Sequence, residues 1–444
     1  MGRFLADKGR KLVRLCLATL LLAISACSGL PGLPNLPGQP GTSTPSETTP
    51  ETSIPAKASP SPTLAASATP GPITLRIWVP PEFDPAGETQ AGKLLQNQLN
   101  EFSARRSGVH IEVRVKAENG PGGLLDSLTT ASAAAPLALP DLVALPRPTL
   151  ETAALKGLLH PFDGLTVVMD DPDWYEYARQ LARVQNSIFG LPFAGDAMLL
   201  VYRPTVIPEP PGTWTATFSS KSPMLFPAAD PQALFPLAFY QAAGGELRDD
   251  QGRPFLNVGK LTTVLNYFMQ AEHSGLMPNW ITQFQTDEQA WSSFTDGKGD
   301  MLLTWSSSYL ANLLADTDAA PIPTLDGAPF TQATGWVWAL SSPQPDRQLM
   351  ATQLAEFLTE SSFLARWTEA AGFLPTRPSA LDAWGNASLQ SLLNRVILSA
   401  QLLPAEDVLT SLGPPVEQAT VDVLKQEADA ETAAKAAVDA LKNP

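Results

Sequence analysis

Few residues of this chain have the type and spacing needed for covalent or metal chemistry. Its three histidines, His110, His160 and His273, stand far apart and form no HExxH pair, so they offer no metal site. There is no GxSxG turn for a serine nucleophile. Gly297-Lys298-Gly299-Asp300 resembles a phosphate loop in composition but lacks the GxxxxGK[ST] spacing. Asp and Glu are plentiful, and a pair of them could serve glycoside hydrolysis only at a set separation, which the sequence does not give. What the chain holds in quantity is equipment for non-covalent recognition. Ten Trp and six Tyr supply flat rings for C–H faces or cations, and carboxylates supply acceptors for hydroxyls. No enzymatic activity, catalytic residue, cofactor or metal is expected.

The one residue placed for covalent modification is Cys27. A basic stretch (Arg3, Lys8, Arg10, Lys11, Arg14) precedes an apolar run, residues 15–24, which ends in Ser25 and Ala26 directly before the cysteine. That is the layout of a secretory signal, and the run is shorter than the roughly 20 apolar residues that span a bilayer. Ile24-Ser25-Ala26-Cys27 resembles a lipobox, in which the cysteine is lipidated and becomes the new N-terminus. The only other cysteine, Cys16, lies inside the segment removed, so the exported chain keeps no pair for a disulfide. Residues 1–26 are thus expected to be a lipoprotein signal peptide.

Residues 27–72 follow as a tether. They are roughly a quarter proline, with Ser, Thr, Gly and Ala making up most of the rest. Such a composition buries too little apolar surface to offset the entropy of folding. In a polyproline conformation it would reach on the order of 100 Å. Loss of the signal removes five basic residues and Asp7, taking the net charge from −15 to about −19. A body this acidic is a poor partner for nucleic acid or anionic lipid. The lipid is then the only membrane contact expected.

Beyond the tether the elements read as α/β. Residues 73–79 alternate as a strand, 89–106 carry Leu94, Leu95, Leu99 and Phe102 at helical spacing, and 109–115 alternate again after Gly108. Strand, helix, strand over about 45 residues is a crossover unit, which implies a parallel sheet with helices on its faces. Residues 141–145 read as a short buried strand. Further strands are expected over 188–202, 299–305 and 333–340. A helix over 346–370 is expected to bury Leu349, Leu354, Phe357 and Leu358 on one face, and mostly helix follows from about 381. A body of this length is too long for one compact domain.

In order and wording these segments resemble the extracellular solute-binding proteins of ABC importers, in particular the maltose-binding-protein-like group. The landmarks are ITLRIWVPPEFD (73–84), LLQNQLNEFSAR (94–105), PDLVAL (140–145) and KGLLHPFDGL (156–165). IFGLPFAGDAMLLVYRP (188–204), AGGEL (243–247), FTDGKGDMLLTW (294–305) and AAGFLPTRPSAL (370–381) complete the set. The resemblance covers nearly all of 73–444. It implies an α/β fold of two lobes with mixed sheets flanked by helices, the lobes being 73–195 plus 334–373 and 196–333 plus 374–444. The ligand cleft would lie between them, closed by hinge motion.

Ligands of open α/β sheets sit beyond the C-terminal strand ends, and the resemblance carries specific residues to that place. It implies Glu82 and Asp84 after the first strand, Arg147 after the third, and Asp196 at a crossing with Phe193 as an apolar neighbour. It further implies Trp305, Trp336 and Trp338 as walls and Arg377 after the last crossing. The chain departs from the group where a cleft tryptophan is commonest, having Ser306 and Ser307 there. The implied function is capture of a mono- or oligosaccharide and delivery to ABC permease subunits by a lipid-anchored, monomeric receptor on the bacterial surface or periplasmic side. Two other readings stay open: a surface sensor or interaction module on the same fold, and a receptor for a cationic solute such as a polyamine.

Overall fold

The computed structural model describes residues 72–442. The readings for the signal, Cys27 and all but the last tether residue fall outside that range. The first segment runs β1 (Ile73–Val79), α1 (Gln90–Arg105), β2 (Val109–Val115), α2 (Leu124–Ala134), β3 (Leu142–Pro146), α3 (Arg147–Leu155) and α4 (Glu176–Leu181), then a short hairpin of β4 (Arg183–Val184) and β5 (Ser187–Ile188). The long β6 (Leu191–Tyr202) leads into α5 (Trp214–Thr217), β7 (Met224–Leu225), α6 (Leu234–Ala242), α7 (Val258–His273), α8 (Asp287–Thr295), β8 (Met301–Trp305), α9 (Ser306–Ala311) and β9 (Asp318–Ala320). After β10 (Thr331–Leu340) come α10 (Pro345–Phe357), α11 (Ser361–Ala371), α12 (Pro378–Asp382), α13 (Ala387–Leu398), β11 (Ala400–Leu402), α14 (Glu406–Leu424) and α15 (Ala430–Lys442).

Strands pair in the order β2-β1-β3-β10-β6-β8-β7, with β11 beside β10 and β9 beside β6. The β1–β2 and β1–β3 pairs are parallel, as the crossover through α1 requires. The β10 strand then runs antiparallel to both β3 and β6. The first half of β6 pairs with β10 and its second half with β8 and β9, so this one strand passes through both halves of the sheet. It can do so because it is almost wholly apolar: Asp196 is the only one of its 12 residues that keeps a partly exposed edge. In β10 the corresponding exception is Thr334, which lies directly opposite Asp196.

Close backbone approach at this point depends on two glycines. A β-carbon on Gly195 would stand 1.9 Å from the Tyr177 hydroxyl, and one on Gly335 would stand 2.2 Å from the Ala194 carbonyl oxygen. A third segment joins them, since Gly195 and Leu374 exchange N–H···O bonds of 2.8 Å in both directions. The chain around Asp196, Thr334 and Leu374 therefore meets in one place.

The expected single helix over 346–370 is two helices, α10 and α11, with Leu358, Thr359 and Glu360 between them. Leu349 is half exposed instead of sharing the buried face. In α10 that face is formed by Ala351, Leu354, Ala355 and Phe357; Leu349, five residues before Leu354, stands about 140° round the helix and off that face.

Candidate ligand-binding site

The register lines up the strand ends. Pro146 at the end of β3 pairs with Trp336, Trp336 with Ala194, and, two residues past Asp196, Met198 pairs with Trp305 at the end of β8. The loops after β1, β2 and β3 thus meet the loop after β8 from the opposite direction along β6, with Asp196 between them.

Glu82 reaches this junction from the β1 loop. Its neighbour Phe83 is 2% exposed and is the anchor of the loop. The Phe83 ring meets Phe193, Trp336, Trp367 and Phe373 at centroid distances of 4.9–5.7 Å, in edge-on geometries that aromatic pairs favour. With Phe83 fixed inward, Glu82 is turned outward. It keeps a solvent-facing side, yet the protein about it removes enough hydration to push its carboxyl up to about 7, helped by the negative fields of Glu118 and Asp196. Asp84 is spent locally, its Oδ1 accepting the Ala86 N–H at 2.8 Å.

Asp196 is tied across to α9. Its Oδ1 accepts from the Ala197 N–H at 2.9 Å, the Ser306 hydroxyl at 2.7 Å and the Ser307 N–H at 2.9 Å, and its Oδ2 accepts from the Ser307 hydroxyl at 2.5 Å. Burial raises its pKa, and these hydrogen bonds work against that rise. Next to it Asp287 accepts from the Thr304 hydroxyl at 2.9 Å and the Ser308 hydroxyl at 2.6 Å. Burial first, then Asp196 and Glu288 among the opposing charges, bring Asp287 to about 6. The three serines that begin α9 are thus held by two carboxylates. Ser306 and Ser307, at which the chain departs from the tryptophan common in the resembled group, hold the β6 carboxylate to the β8–α9 turn.

The remaining sequence candidates divide by surroundings. Phe193, Trp336 and Trp338 join the aromatic cluster. Phe193 stacks on Trp338 at 4.6 Å, and all three are at most 8% exposed. Trp305 is partly exposed, with Phe235 6.5 Å from its ring. Arg147 is occupied: its Nε and a terminal nitrogen bind Glu151 at 2.8 and 2.7 Å, and its Nη1 donates to carbonyls of Gln180, Leu181 and Arg183. Arg377 is occupied as well. It is 5% exposed, donates to the Thr359 carbonyl at 2.8 Å, pairs with Asp171 at 3.1 Å and lies 3.9 Å over the Trp174 ring.

The structure therefore brings Glu82 and Asp196 into one electrostatic neighbourhood, joined by Glu118 and Asp287, and holds both arginines in other contacts. Glu118 lies in the loop after β2, where the rule that ligands sit beyond parallel strand ends also points. Asp287 opens α8 in a Thr-Asp-Glu sequence that reads as an ordinary helix start, and only the tertiary fold shows its tie to Thr304 and Ser308. Among the described residues no group of three or more His, Cys, Asp or Glu is arranged to hold a metal ion, and no helix is long and apolar enough to cross a membrane.

A mixed sheet shared by two halves, helices on its faces and strand ends converging on the shared strands define a two-lobe α/β binding fold. The chain belongs to the bacterial extracellular solute-binding protein family, whose model matches residues 98–391. No curated protein matches the sequence. Among solved structures, a cyclo/maltodextrin-binding protein complexed with maltotetraose is similar over 84% of this chain and 98% of its own, at 20% identity and a TM-score of 0.69. The sugar-binding protein MalE of Xanthomonas citri covers 83% and 97% at 19% identity and a TM-score of 0.69. The cyclic alpha-maltosyl-1,6-maltose binding protein of Arthrobacter globiformis covers 84% and 100% at 18% identity and a TM-score of 0.68. At these identities the likeness is one of fold.

Proposed function

We propose that this chain is the capturing subunit of an ABC import system, binding a mono- or oligosaccharide between two lobes and delivering it to a membrane permease. The observation that carries the reading is the convergence of strand ends from both halves of the sheet on Asp196. Support comes from the shared fold with proteins described as maltodextrin- and sugar-binding. The lobes are 73–195 plus 334–373 and 196–333 plus 374–444, and the hinge is the meeting of β6, β10 and Leu374. Glu82 and Glu118 on one side and the Asp287–serine cluster on the other offer acceptors for sugar hydroxyls, and the partly exposed Trp305 offers a ring for C–H faces. The N-terminal lipid on Cys27 holds the receptor near its permease, on the outer face of the membrane.

Two measurements test this. Calorimetric titration with maltotetraose and a panel of smaller sugars should give saturable one-to-one binding, and a panel without any binder would overturn the sugar assignment. Cys27→Ser should abolish incorporation of labelled lipid and leave ligand binding unchanged; retained labelling would overturn the anchor. The acidic neighbourhood of Glu82, Glu118, Asp196 and Asp287 favours one second reading, a cationic solute. Spermidine in the same panel separates it from the first.

A further inference from the structure

We propose a second ligand site, for an apolar amino acid or a similar amphipathic zwitterion, in the groove between α13 and β9. A cavity of about 810 Å³ lies there, lined by Tyr202 at the end of β6, Tyr309 on α9, Asp318 on β9 and one face of α13. Ser388, Ser391, Leu392 and Arg395 supply that face at the spacing of successive helical turns. None of these residues belongs to the Asp196 neighbourhood.

Tyr309 stands in the wall of this cavity. The residue is 6% exposed, and its hydroxyl makes no hydrogen bond with the described residues. That hydroxyl keeps solvent access at the cavity wall and is free to meet a ligand there. Beside it the Tyr202 hydroxyl donates to Asp318 Oδ2 at a long 3.5 Å, and the other oxygen of Asp318 accepts its neighbouring Ala319 N–H at 2.8 Å. The fields of Asp318 and Tyr202 both reach Tyr309, so the three groups form one pole that accepts hydrogen bonds. Asp318 and Arg395 line the same cavity and neither has an ion-pair partner among the described residues.

Arg395 also lines a second cavity of about 550 Å³, which adjoins the first, sharing Pro210, Ala320 and Pro321 with it. Pro211, Ile322, Pro329 and Leu398 make that chamber apolar. The groove thus presents a carboxylate with two phenols, then a guanidinium, then an apolar end. A ligand ammonium matches the first, a carboxylate held in two parallel hydrogen bonds matches the second, and an apolar side chain fills the third. A neutral sugar has no use for the opposed charges.

The test is calorimetric titration of the full chain with L-phenylalanine and L-leucine, with glycine and maltotetraose alongside, for wild type, Asp318→Asn, Arg395→Gln and Tyr309→Phe. Asp318 and Arg395 are exposed, so their variants leave the core intact, and melting temperatures check this. Expected is saturable binding of phenylalanine or leucine, stronger than of glycine, weakened about tenfold by either charge substitution, with maltotetraose binding unmoved. Absence of amino-acid binding, binding indifferent to both charge substitutions, or competition by maltotetraose would each overturn the site. Sugar binding in the cleft reports on the main function separately.

Discussion

Ser307 donates twice to one carboxylate, its N–H to Asp196 Oδ1 at 2.9 Å and its hydroxyl to Asp196 Oδ2 at 2.5 Å. With Ser306 and Ala197 adding two more donors, Asp196 joins the shared central strand to the first turn of α9. Removing the carboxylate strands several donors at once. Asp196→Ala should therefore destabilise the protein by about 1–3 kcal/mol in chemical denaturation, and Asp196→Asn by less, since the amide oxygen still accepts.

The Glu82 carboxyl titrates at about 7, against 4.5 for the unperturbed group. The folded state holds this proton more tightly than the unfolded chain, so the contribution to stability is fully present below pH 4.5 and is lost as pH rises toward 7. Glu82→Gln cannot ionise and should escape that loss. Melting temperatures of wild type and variant should coincide near pH 4 and separate by on the order of 1–2 °C in favour of the variant at pH 8, the solvent-facing side of Glu82 keeping the effect small. A gap that shrinks with rising pH would contradict the assignment.

Gly195 has no room for a side chain under the Tyr177 hydroxyl. Gly195→Ala should cost about 1–3 kcal/mol through overpacking. Tyr177→Phe in the same chain removes the nearest atom and should recover part of the loss, a coupling that a double-mutant cycle measures directly.

Arg377 sits in a nearly closed site between Asp171, the Thr359 carbonyl and the Trp174 ring. Arg377→Ala should destabilise by about 1–3 kcal/mol, because it empties a buried guanidinium site and strands the Thr359 carbonyl, while the exposed Asp171 returns to water. Ligand affinity of the folded variant should stay at the wild-type value, and a selective loss of affinity would return Arg377 to the binding surface.

Much of the scaffold was legible because its signals are local. The alternation of residues 73–79 and 109–115 and the helical spacing of Leu95, Leu99 and Phe102 act within one element, and β1, α1 and β2 fall where that pattern puts them. The family resemblance was legible from ordered segments, each weak by itself. What stayed hidden was orientation. Trp336 and Trp338 share a face on a strand by simple alternation, but only packing shows that the face meets Phe83 and Phe193. Arg147 has Glu151 one helical turn away, a pairing the sequence does contain, whereas the carbonyls of Gln180, Leu181 and Arg183 reach it only through the fold. Glu118 and Asp287 act on Glu82 and Asp196 through space, and no linear spacing encodes that.

The central claim is that the strand ends around Glu82 and Asp196 hold a sugar. Titration of maltotetraose into wild type and Glu82→Gln, followed by calorimetry at pH 8, tests it most directly. Saturable one-to-one binding that weakens about tenfold in the variant is the predicted result. Binding of equal strength in both proteins, or none in wild type for maltotetraose or any smaller sugar, would contradict it.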